Sequence, residues 1–410
     1  MSSVPKIDDY EPIVGKNVIN ELRHLAEKLK GIRVQNINST AVGGGVAEIL
    51  NRMVPLWIGL GVDAHWGVIR GGEMFFVFTK KLHNALHGKP EEFTQEDYDV
   101  FEETQEANLS VVDPDAGVIY IHDPQPIGLI REKPKRPGTK WIWRCHIDFS
   151  SPMPQAWDFL KGYIEQYDAA VFSAPAFSRP LSIRQVLIAP SIDPLSDKNK
   201  DLPQEVIDQT LVRFGIDRDR PIVTQISRFD YLKDPTGVID VFHLVKRYID
   251  CQLVLAGGGA DDDPEGMKIL AEVQERARED KDIHVLFLPP GADIEINALQ
   301  RASSVVLQKS LKEGFGLTVT EALWKKKPVV ASAVGGIPLQ IAHRYSGLLS
   351  YSIEGTAYWV RQILNDPEYG VRLGQNGHEH VLQNFLTTRH LRDDMLLFLS
   401  TLHPGDVVHL

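Results

Sequence analysis

Cysteine is scarce in this 410-residue sequence, in which only Cys145 and Cys251 occur. Two cysteines are too few for a disulfide framework or a zinc site, so we expect a reducing compartment. No run approaches the ~18 apolar residues that cross a bilayer. The first residues also lack the basic start and apolar core of a secretory signal. These absences predict a soluble, cytoplasmic protein that does not insert into a membrane.

Basic residues are also in deficit, with 44 Lys and Arg against 55 Asp and Glu and a net charge of −11. A nucleic-acid-binding protein needs a basic face, so we expect no nucleic acid partner. The hydrophobic content of 43% is typical of a folded globular protein. The length allows two domains of ordinary size, and the sequence leaves open whether the chain is a monomer or a homodimer.

Apolar strand-like runs alternate with amphipathic segments along most of the chain, a pattern that predicts parallel sheets flanked by helices. The first set of predicted strands lies at 31–37, 66–69, 118–122, 140–147, 169–174 and 185–190. The second set lies at 221–227, 251–257, 283–288, 304–308, 328–332 and 347–350. The polar, proline-containing stretch 190–205 between the two sets is typical of a linker.

The predicted fold class is therefore α/β, with two doubly wound Rossmann-like domains that face a deep cleft. We place the first domain at 1–198 and the second at 199–385. The stretch 358–399 is predicted to be helical. We expect a C-terminal helix within 386–410 to cross back to the first domain.

Ligands of open parallel sheets bind beyond the carboxyl ends of the strands, and glycine-rich or polar segments fall at these ends. Gly43, Gly44 and Gly45 stand between a predicted strand and a predicted helix. Free amides at a helix start suit a phosphate. The triplet matches neither the dinucleotide fingerprint nor the P-loop, and a tight turn explains it equally well.

Two cations follow a buried strand in the segment "SRFDYLKDP". The fork-shaped guanidinium of Arg228 and the point charge of Lys233 suit a diphosphate. The alternative is a pair of solvated charges near a helix start. That alternative is awkward, because cations at a helix N-terminus oppose the helix dipole unless an anion is near.

The segment "KEGFGLTVTEALW" holds a second set of candidate binding groups. If Gly316 caps a helix that begins at Leu317, the amides of Leu317 and Thr318 are free to bind a ligand. Glu321, one turn further, can accept two hydrogen bonds from a vicinal diol such as a ribose.

Glu313 precedes that predicted helix, and we expect it to meet the part of the ligand beyond the phosphates. The backbone of Phe315 and of Gly316 can donate to sugar hydroxyls. Acids near a helix start also complement the dipole, which is a sufficient explanation for either glutamate alone.

These motifs resemble a known family. Glu313, seven intervening residues and Glu321, preceded by Arg228 and Lys233, resemble the retaining GT-B glycosyltransferases of family four over nearly the whole chain. The segments "VQNINSTAVGGGVAEIL", "YIHDPQPIGL" and "RCHIDFSSP" resemble the trehalose glycosyltransferring synthases and the related retaining trehalose phosphorylases.

The resemblance implies a role for each matching residue. Arg228 and Lys233 would neutralise the diphosphate leaving group, while Glu321 would hold the ribose and Glu313 the glucose hydroxyls. The remaining roles that it implies are contacts of Gly44 and Gly45 with the donor phosphates and a position of His146 near the reacting sugar.

The candidate acceptor-binding residues are Asp123, His146 and Asp148. Asp123 ends a predicted strand in "HDP", where an aspartate that stabilises a turn is an equal alternative. Arg144, His146 and Asp148 alternate in "RCHID", which predicts that they share one strand face. A structural histidine is the alternative for His146.

The acidic triplet Asp261–Asp263 is better explained as capping acids before a helix, so we expect no catalytic metal and no cofactor besides the nucleotide sugar. The sequence predicts a retaining glucosyltransferase that makes trehalose reversibly from ADP- or UDP-glucose and free glucose. It leaves open a retaining trehalose phosphorylase that uses inorganic phosphate, and a non-catalytic nucleotide-sugar sensor.

Overall fold

Strands and helices alternate along the chain in the computed structural model, which describes residues 5–42, 44–258 and 264–405. The strands are β1 (Arg33–Asn38), β2 (Asp63–Val68), β3 (Val118–His122), β4 (Lys140–Cys145), β5 (Ala169–Phe172), β6 (Arg184–Leu187), β7 (Ile222–Ile226), β8 (Gln252–Gly257), β9 (Ile283–Phe287), β10 (Val305–Gln308), β11 (Val329–Ser332) and β12 (Leu348–Ser350). They form two six-stranded sheets in which all neighbours pair in parallel.

The helices surround these sheets. They are α1 (Glu11–Val14), α2 (Lys16–Lys28), α3 (Gly44–Gly59), α4 (Glu73–Leu86), α5 (Gln95–Ala107), α6 (Pro154–Ile164), α7 (Gln204–Arg213), α8 (Pro235–Lys246), α9 (Pro264–Ala277), α10 (Asp293–Ala302), α11 (Leu317–Trp324), α12 (Ile337–Gln340), α13 (Ile353–Asn365), α14 (Pro367–Asn384) and α15 (Thr387–Leu402). Short 3-10 helices lie at Ile7–Tyr10, Leu109–Val111, Ile127–Lys135, Pro175–Phe177 and Tyr231–Lys233. No helix in the described ranges is long and apolar enough to cross a membrane.

The chain divides into two units. Unit 1 comprises Met1–Ser191 and Thr387–Leu410, and unit 2 comprises Ile192–Leu386. The chain therefore leaves unit 1 at Ser191, whereas the sequence suggested 198, and it returns at Thr387. The returning segment forms α15, which belongs to unit 1 as we expected of the C-terminal helix.

Unit 1 holds the sheet with strand order β2-β1-β3-β4-β5-β6. Its apolar strands are covered on both faces, as the near-continuous hydrophobic runs require. An aromatic cluster that includes Phe75 and Phe78 of α4 and Phe101 of α5 covers one face. Helix α15 packs against α2 and α3.

Unit 2 holds the sheet with strand order β12-β11-β10-β7-β8-β9. Counted within the unit, this is 6-5-4-1-2-3, the order of a doubly wound Rossmann sheet. One apolar cluster packs α8 and α13 on the sheet through residues such as Phe242 and Val360. A second cluster packs α7 and α10 through Leu211 and Leu299. The order reverses between β7 and β10, which marks the expected ligand site.

Most of the local predictions agree with the structure, with differences of a few residues at element ends. Asp234 caps α8 by accepting a hydrogen bond of 3.0 Å from the Gly237 amide, and Pro235 is the first helical residue. The stretch 358–399 is not one helix, because Asp366 caps α14 and the chain leaves helical geometry again at Phe385. The predicted strand 140–147 ends at Cys145.

Candidate active site

The loops that follow β7 and β10 are joined at the point where the strand order of unit 2 reverses. Gln225, buried in β7, donates to the Lys233 carbonyl oxygen at 2.9 Å and accepts from the Lys309 amide at 2.9 Å. The Leu311 amide donates to the Leu232 carbonyl oxygen at 2.8 Å. One buried glutamine thus aligns the loop that carries Lys233 with the loop that leads to Glu313.

Lys233 and Glu313 form an ion pair in these loops. The Lys233 Nζ lies 2.6 Å from Glu313 Oε2. Ser310 Oγ donates to the same oxygen at 3.0 Å, and Gln308 Nε2 donates to it at 3.3 Å. Oε1 of Glu313 has no donor within the described ranges. The carboxylate is therefore fixed through one oxygen and presents the other to a ligand.

Arg228 lies in the same loop as Lys233, two residues after β7. Its side chain is 55% exposed, and its closest acid is Asp230, with Nη2 3.6 Å from Oδ2. Asp230 is itself engaged, because its Oδ1 accepts from the Leu232 amide at 2.7 Å. The guanidinium is consequently held only loosely by protein groups and remains accessible to an anion.

Helix α11 begins as the glycine pattern predicts. Gly316 adopts a φ of 84°, a left-handed conformation that glycine takes at little cost, and α11 starts at Leu317. The Leu317 and Thr318 amides have no acceptor in the part of the chain that the structure describes. Thr318 Oγ1 donates to Gln308 Oε1 at 2.9 Å, which ties the helix start to β10. The helix therefore presents two donors at its N-terminus.

Gly335 and Gly336, which follow β11, support the loop of Glu313 by close backbone approach. Gly335 has a φ of +55°, and a Cβ there would lie 1.6 Å from the Glu313 carbonyl oxygen. The Gly336 amide donates to the Gly314 carbonyl oxygen at 3.1 Å. Only a residue without a side chain fits at position 335, so this glycine determines how closely the two loops approach.

Glu321 is a buried acid on α11, with 3% of its surface exposed. Lys198 lies near it, with Nζ 4.0 Å from Glu321 Oε1, and the same Nζ is 3.8 Å from Asp293 Oδ1. Sequence reasoning missed Lys198, which stands in the stretch read as a linker. The cation offsets part of the cost of burying the Glu321 carboxylate.

Lys325, one turn after Glu321, is a buried lysine that sequence reasoning also missed. Its Nζ donates to Gln300 Oε1 at 2.7 Å, to Asn199 Oδ1 at 3.0 Å and to the Glu321 carbonyl oxygen at 3.3 Å. Burial lowers the pKa of Lys325 to about 7, and the neighbouring Glu321 carboxylate opposes that shift. The bonds to Gln300 and Asn199 tie the end of α11 to α10 and to the segment that enters unit 2.

In unit 1, the partly exposed His146 is hydrogen-bonded in series with two buried polar residues near the ends of β1 and β3, Asn36 and His122. His122 Nε2 lies 3.0 Å from Asn36 Oδ1, and His122 Nδ1 lies 3.1 Å from His146 Nε2. The two imidazole rings stack, with centroids 5.5 Å apart and planes at 21°. Sequence reasoning named His146 but gave no role to Asn36 or His122. The sequence signal that could have indicated them is a polar residue within a predicted strand, Asn36 in β1 and His122 in β3.

Both imidazoles are neutral at ordinary pH. Burial lowers the pKa of His122 and of His146, and the charge of Arg144 lowers both further. Arg144 is fully buried and donates to Tyr120 Oη at 3.0 Å and to the Ile188 carbonyl oxygen at 3.2 Å. Its counter-ion is Asp394 of α15, with Nη1 3.4 Å from Oδ1. A cation fixed in this way keeps protons off the histidines.

The two aspartates proposed for the acceptor both bind backbone amides. Asp123 adopts a φ of 65°, and its Oδ1 accepts from the His146 amide at 2.7 Å. Burial raises the pKa of Asp123 to about 7, although the His146 amide opposes that shift. Asp148 Oδ1 accepts from the Ser150 amide at 2.8 Å. Because β4 ends at Cys145, the prediction that Arg144, His146 and Asp148 share one strand face is wrong.

A cavity of about 10 Å³ lies inside unit 1 beside these groups, space for about one water molecule. Its polar wall consists of His122, Arg144, His146, His390 and Asp394, and α3 supplies its apolar wall. Gly44 and Gly45 lie in the first turn of α3, while Gly43 lies outside the described residues.

The described residues contain no group of three His, Cys, Asp or Glu side chains arranged to hold a metal ion. The triplet Asp261–Asp263, which sequence reasoning assigned to helix capping, lies outside the described residues.

The two parallel sheets match solved glycosyltransferase structures. A trehalose-6-phosphate synthase superposes with a TM-score of 0.73 at 15% identity, covering 92% of this chain and 99% of the other. Residues 207–380 match the family "Glycosyl transferases group 1", and residues 36–179 match "Trehalose synthase, N-terminal domain". Fold and family matches together define the class as a glycosyltransferase built from two Rossmann-like domains of the GT-B type.

Sequence relatives narrow the class. A trehalose synthase of Rubrobacter xylanophilus is 45% identical over 405 residues, which cover 96% of each chain. A trehalose phosphorylase of Pleurotus pulmonarius is 29% identical over 400 residues, which cover 85% of this chain and 54% of the other. The chain belongs to the trehalose synthase family.

Proposed function

We propose that the protein transfers glucose reversibly from a nucleoside diphosphate glucose, ADP- or UDP-glucose, to the anomeric hydroxyl of free glucose and so forms trehalose. The observation that carries the proposal is the Lys233–Glu313 ion pair at the strand-order reversal of unit 2. It combines a cation for a departing phosphate with a carboxylate whose second oxygen can bind a sugar hydroxyl. A relative named trehalose synthase, 45% identical to this chain, supports the product.

Unit 2 binds the donor in this scheme. Arg228 and Lys233 stabilise the negative charge that develops on the diphosphate as the glycosidic bond breaks. The amides of Leu317 and Thr318 bind phosphate oxygens at the N-terminus of α11. Glu321 accepts hydrogen bonds from the ribose diol.

The donor glucose and the acceptor use the remaining residues. Oε1 of Glu313 accepts from a glucose hydroxyl, and the backbone of Phe315 and Gly316 donates to others. In unit 1, His146, Asp123 and Asp148 serve the acceptor glucose. The resemblance to family-four enzymes also assigns contacts with the donor phosphates to Gly44 and Gly45.

Transfer keeps the α configuration of the donor. Inversion needs a general base opposite the leaving group, and double displacement needs a carboxylate nucleophile there. We assign Glu313 neither role, because its loop leads directly to the amides proposed to bind the phosphates, which favours a position of the carboxylate beside the sugar hydroxyls. The remaining route is attack from the side of the leaving group, with a phosphate oxygen taking the acceptor proton. Proton NMR of the first disaccharide formed tests this route, and a β-configured donor residue would disprove it.

The alternative is a trehalose phosphorylase, in which Arg228 and Lys233 would hold inorganic phosphate. Incubation of the protein with trehalose and either a nucleoside diphosphate or phosphate separates the two. We expect nucleoside diphosphate glucose from the first mixture and no glucose phosphate from the second. Glucose 1-phosphate from the second would establish the phosphorylase, and no product from either would leave only a sugar-nucleotide sensor.

Turnover should not require a divalent metal, because Arg228 and Lys233 supply the positive charge that a metal would otherwise provide. Activity in EDTA should equal activity in magnesium. Loss in EDTA that magnesium restores would reassign Asp261–Asp263 as a metal site. Cys145 and Cys251 are buried and unpaired, which supports action in the cytoplasm.

A further inference from the structure

We propose that Asn36 and His122 are positioning residues that fix the tautomer of His146, so that His146 Nδ1 presents a lone pair to a sugar hydroxyl. The tautomer itself is a property of the free protein. The hydrogen bond from a sugar hydroxyl to His146 Nδ1 rests on the proposed function.

Asn36 sets the direction of the hydrogen bonds, because it is the first residue in the hydrogen-bonded series Asn36, His122 and His146. In the structure Asn36 Oδ1, which can only accept, faces His122 Nε2 at 3.0 Å, while Asn36 Nδ2 is buried and has no partner among the described residues. This orientation of the amide places the ring proton of His122 on Nε2. His122 Nδ1 is then an acceptor, and the His146 Nε2 that faces it at 3.1 Å must carry a proton. A neutral His146 has one ring proton, so its Nδ1 carries none.

His146 Nδ1 is the one ring nitrogen of the two histidines that has no partner among the described residues. Both nitrogens of His122 are bonded, and His122 is 3% exposed, whereas His146 is partly exposed. Both nitrogens of the buried His122 are satisfied within the protein, as buried polar groups generally are. The open nitrogen of His146 lies at the more exposed end, where a ligand can reach it.

Both imidazole rings must be neutral for this hydrogen-bonded series, which we call the relay, because an imidazolium has no lone pair to accept a hydrogen bond. Burial and the surrounding charges keep them neutral. Burial lowers the pKa of both histidines, and the Arg144 cation adds to this effect. The His146 amide is bonded to Asp123 Oδ1, which holds the backbone of the residue whose ring the relay orients.

The first test reads the tautomer without substrate. In protein labelled with ¹⁵N-histidine, long-range ¹H–¹⁵N spectra at pH 7.5 should show His122 and His146 both protonated on Nε2, with the His146 signals assigned from His146→Asn. Protonation of His146 on Nδ1 would overturn the proposal, whether or not the protein makes trehalose.

Variants at position 36 test the cause. Asn36→Asp supplies an acceptor only, so it should keep the Nε2–H tautomer of His146 and most of the turnover. Asn36→Leu removes the acceptor, so the His146 signals should become those of mixed tautomers, and turnover should fall ~100-fold, as misplacement of a reacting group commonly costs. An unchanged His146 spectrum in a folded Asn36→Leu protein would also overturn the proposal. If that variant does not fold, loss of the Nε2–H tautomer in Asn36→Asp would do so.

His284→Gln in unit 2 is the matched control. His284 is partly buried in β9 with Nε2 3.3 Å from Gln252 Oε1, and it has no part in the proposed site. This variant should leave both the His146 signals and turnover unchanged. A change equal to that of Asn36→Leu would mean that any lost histidine contact perturbs the protein, and the relay would be rejected.

Discussion

The two units place their key polar residues at equivalent positions of similar sheets, but these residues differ in charge. In unit 1 the order changes direction between β1 and β3, where Asn36 and His122 lie. In unit 2 it reverses between β7 and β10, where Lys233 and Glu313 are joined. The first pair is neutral and the second is charged. In the proposed function, the strand order determines where each ligand binds, and the charge of the residues determines which ligand it is.

The difference follows from the cost of burial. Hydroxyls of a neutral sugar are satisfied by neutral donors and acceptors, and a buried charge without a partner is expensive. Unit 1 accordingly pairs its buried Arg144 with Asp394 and keeps its histidines uncharged. A diphosphate needs cations, because charge-assisted hydrogen bonds are about twice as strong as neutral ones. In the proposed function, Arg228 and Lys233 in the loops of unit 2 supply these cations.

Removal of a cation from unit 2 should have the largest effect. Lys233→Ala or Arg228→Ala should lower turnover about 10²- to 10³-fold, because each removes charge that stabilises the departing phosphate. Steady-state rates and thermal unfolding would be measured together, and we expect a much smaller change in unfolding. The control is Lys246→Ala, which removes a cation paired with Asp280 and Asp282 at the other end of α8, ~18 Å away. Near-normal turnover in Lys233→Ala would refute the leaving-group role.

Gly335→Ala should have the next largest effect, because its new Cβ would lie 1.6 Å from the Glu313 carbonyl oxygen and displace that loop. Turnover should fall at least ~10-fold for a displacement of this size. Gly291→Ala is the control, since its φ is +83° but nothing lies within 4 Å of the new Cβ. Both variants share the cost of a left-handed alanine, about 1–2 kcal/mol. Equal losses of activity would show that the backbone strain matters and the close approach does not.

Glu321→Gln should weaken nucleoside diphosphate binding by about 10-fold, because hydrogen bonds to a charged acceptor are stronger than those to an amide. Calorimetry with nucleoside diphosphate and with inorganic phosphate separates the nucleoside from the anion. Phosphate affinity should barely change. If both ligands lose affinity equally, Glu321 is a structural residue, and the proposed contact of unit 2 with the ribose is wrong.

The smallest effect should be on the pH dependence of stability. Burial lowers the pKa of His122 below its usual value, so below pH ~6.5 the unfolded chain takes up a proton that the folded chain does not. Stability is then lost as the pH falls, by up to ~1.4 kcal/mol per pH unit from this one group. Asp123 and Asp394, with pKa values raised to about 7, act in the opposite direction between pH ~4 and 7.

His122→Gln removes the histidine contribution and leaves both aspartates in place. Urea unfolding at pH 7.5 and at pH 5 should show a smaller acid loss for the variant than for the unchanged protein. An equal loss would mean that His122 is protonated in the folded state, which contradicts a neutral site in unit 1.

Local patterns were predicted well, because their causes lie within a few residues. A glycine followed by a helical run correctly placed the start of α11. The contact of Lys233 with Glu313 joins residues 80 apart in sequence, so it depends on strand order, which periodicity does not specify. The contact of Lys198 with Glu321 could not be predicted for the same reason. The alternation in "RCHID" predicted a shared strand face that does not form, because no sequence signal marks the end of β4 at Cys145.

The return of the chain to unit 1 has a consequence for synthesis. Asp394 and His390, which line the cavity of unit 1, lie on α15, after the whole of unit 2. A ribosome that adds about 5–20 residues per second needs ~10–40 s to make the intervening segment. During that time Arg144 lacks its ion pair with Asp394, and α2 and α3 have no α15 to pack against. Unit 2, continuous in sequence, can therefore finish folding first, and the histidine site matures only once α15 has left the ribosome.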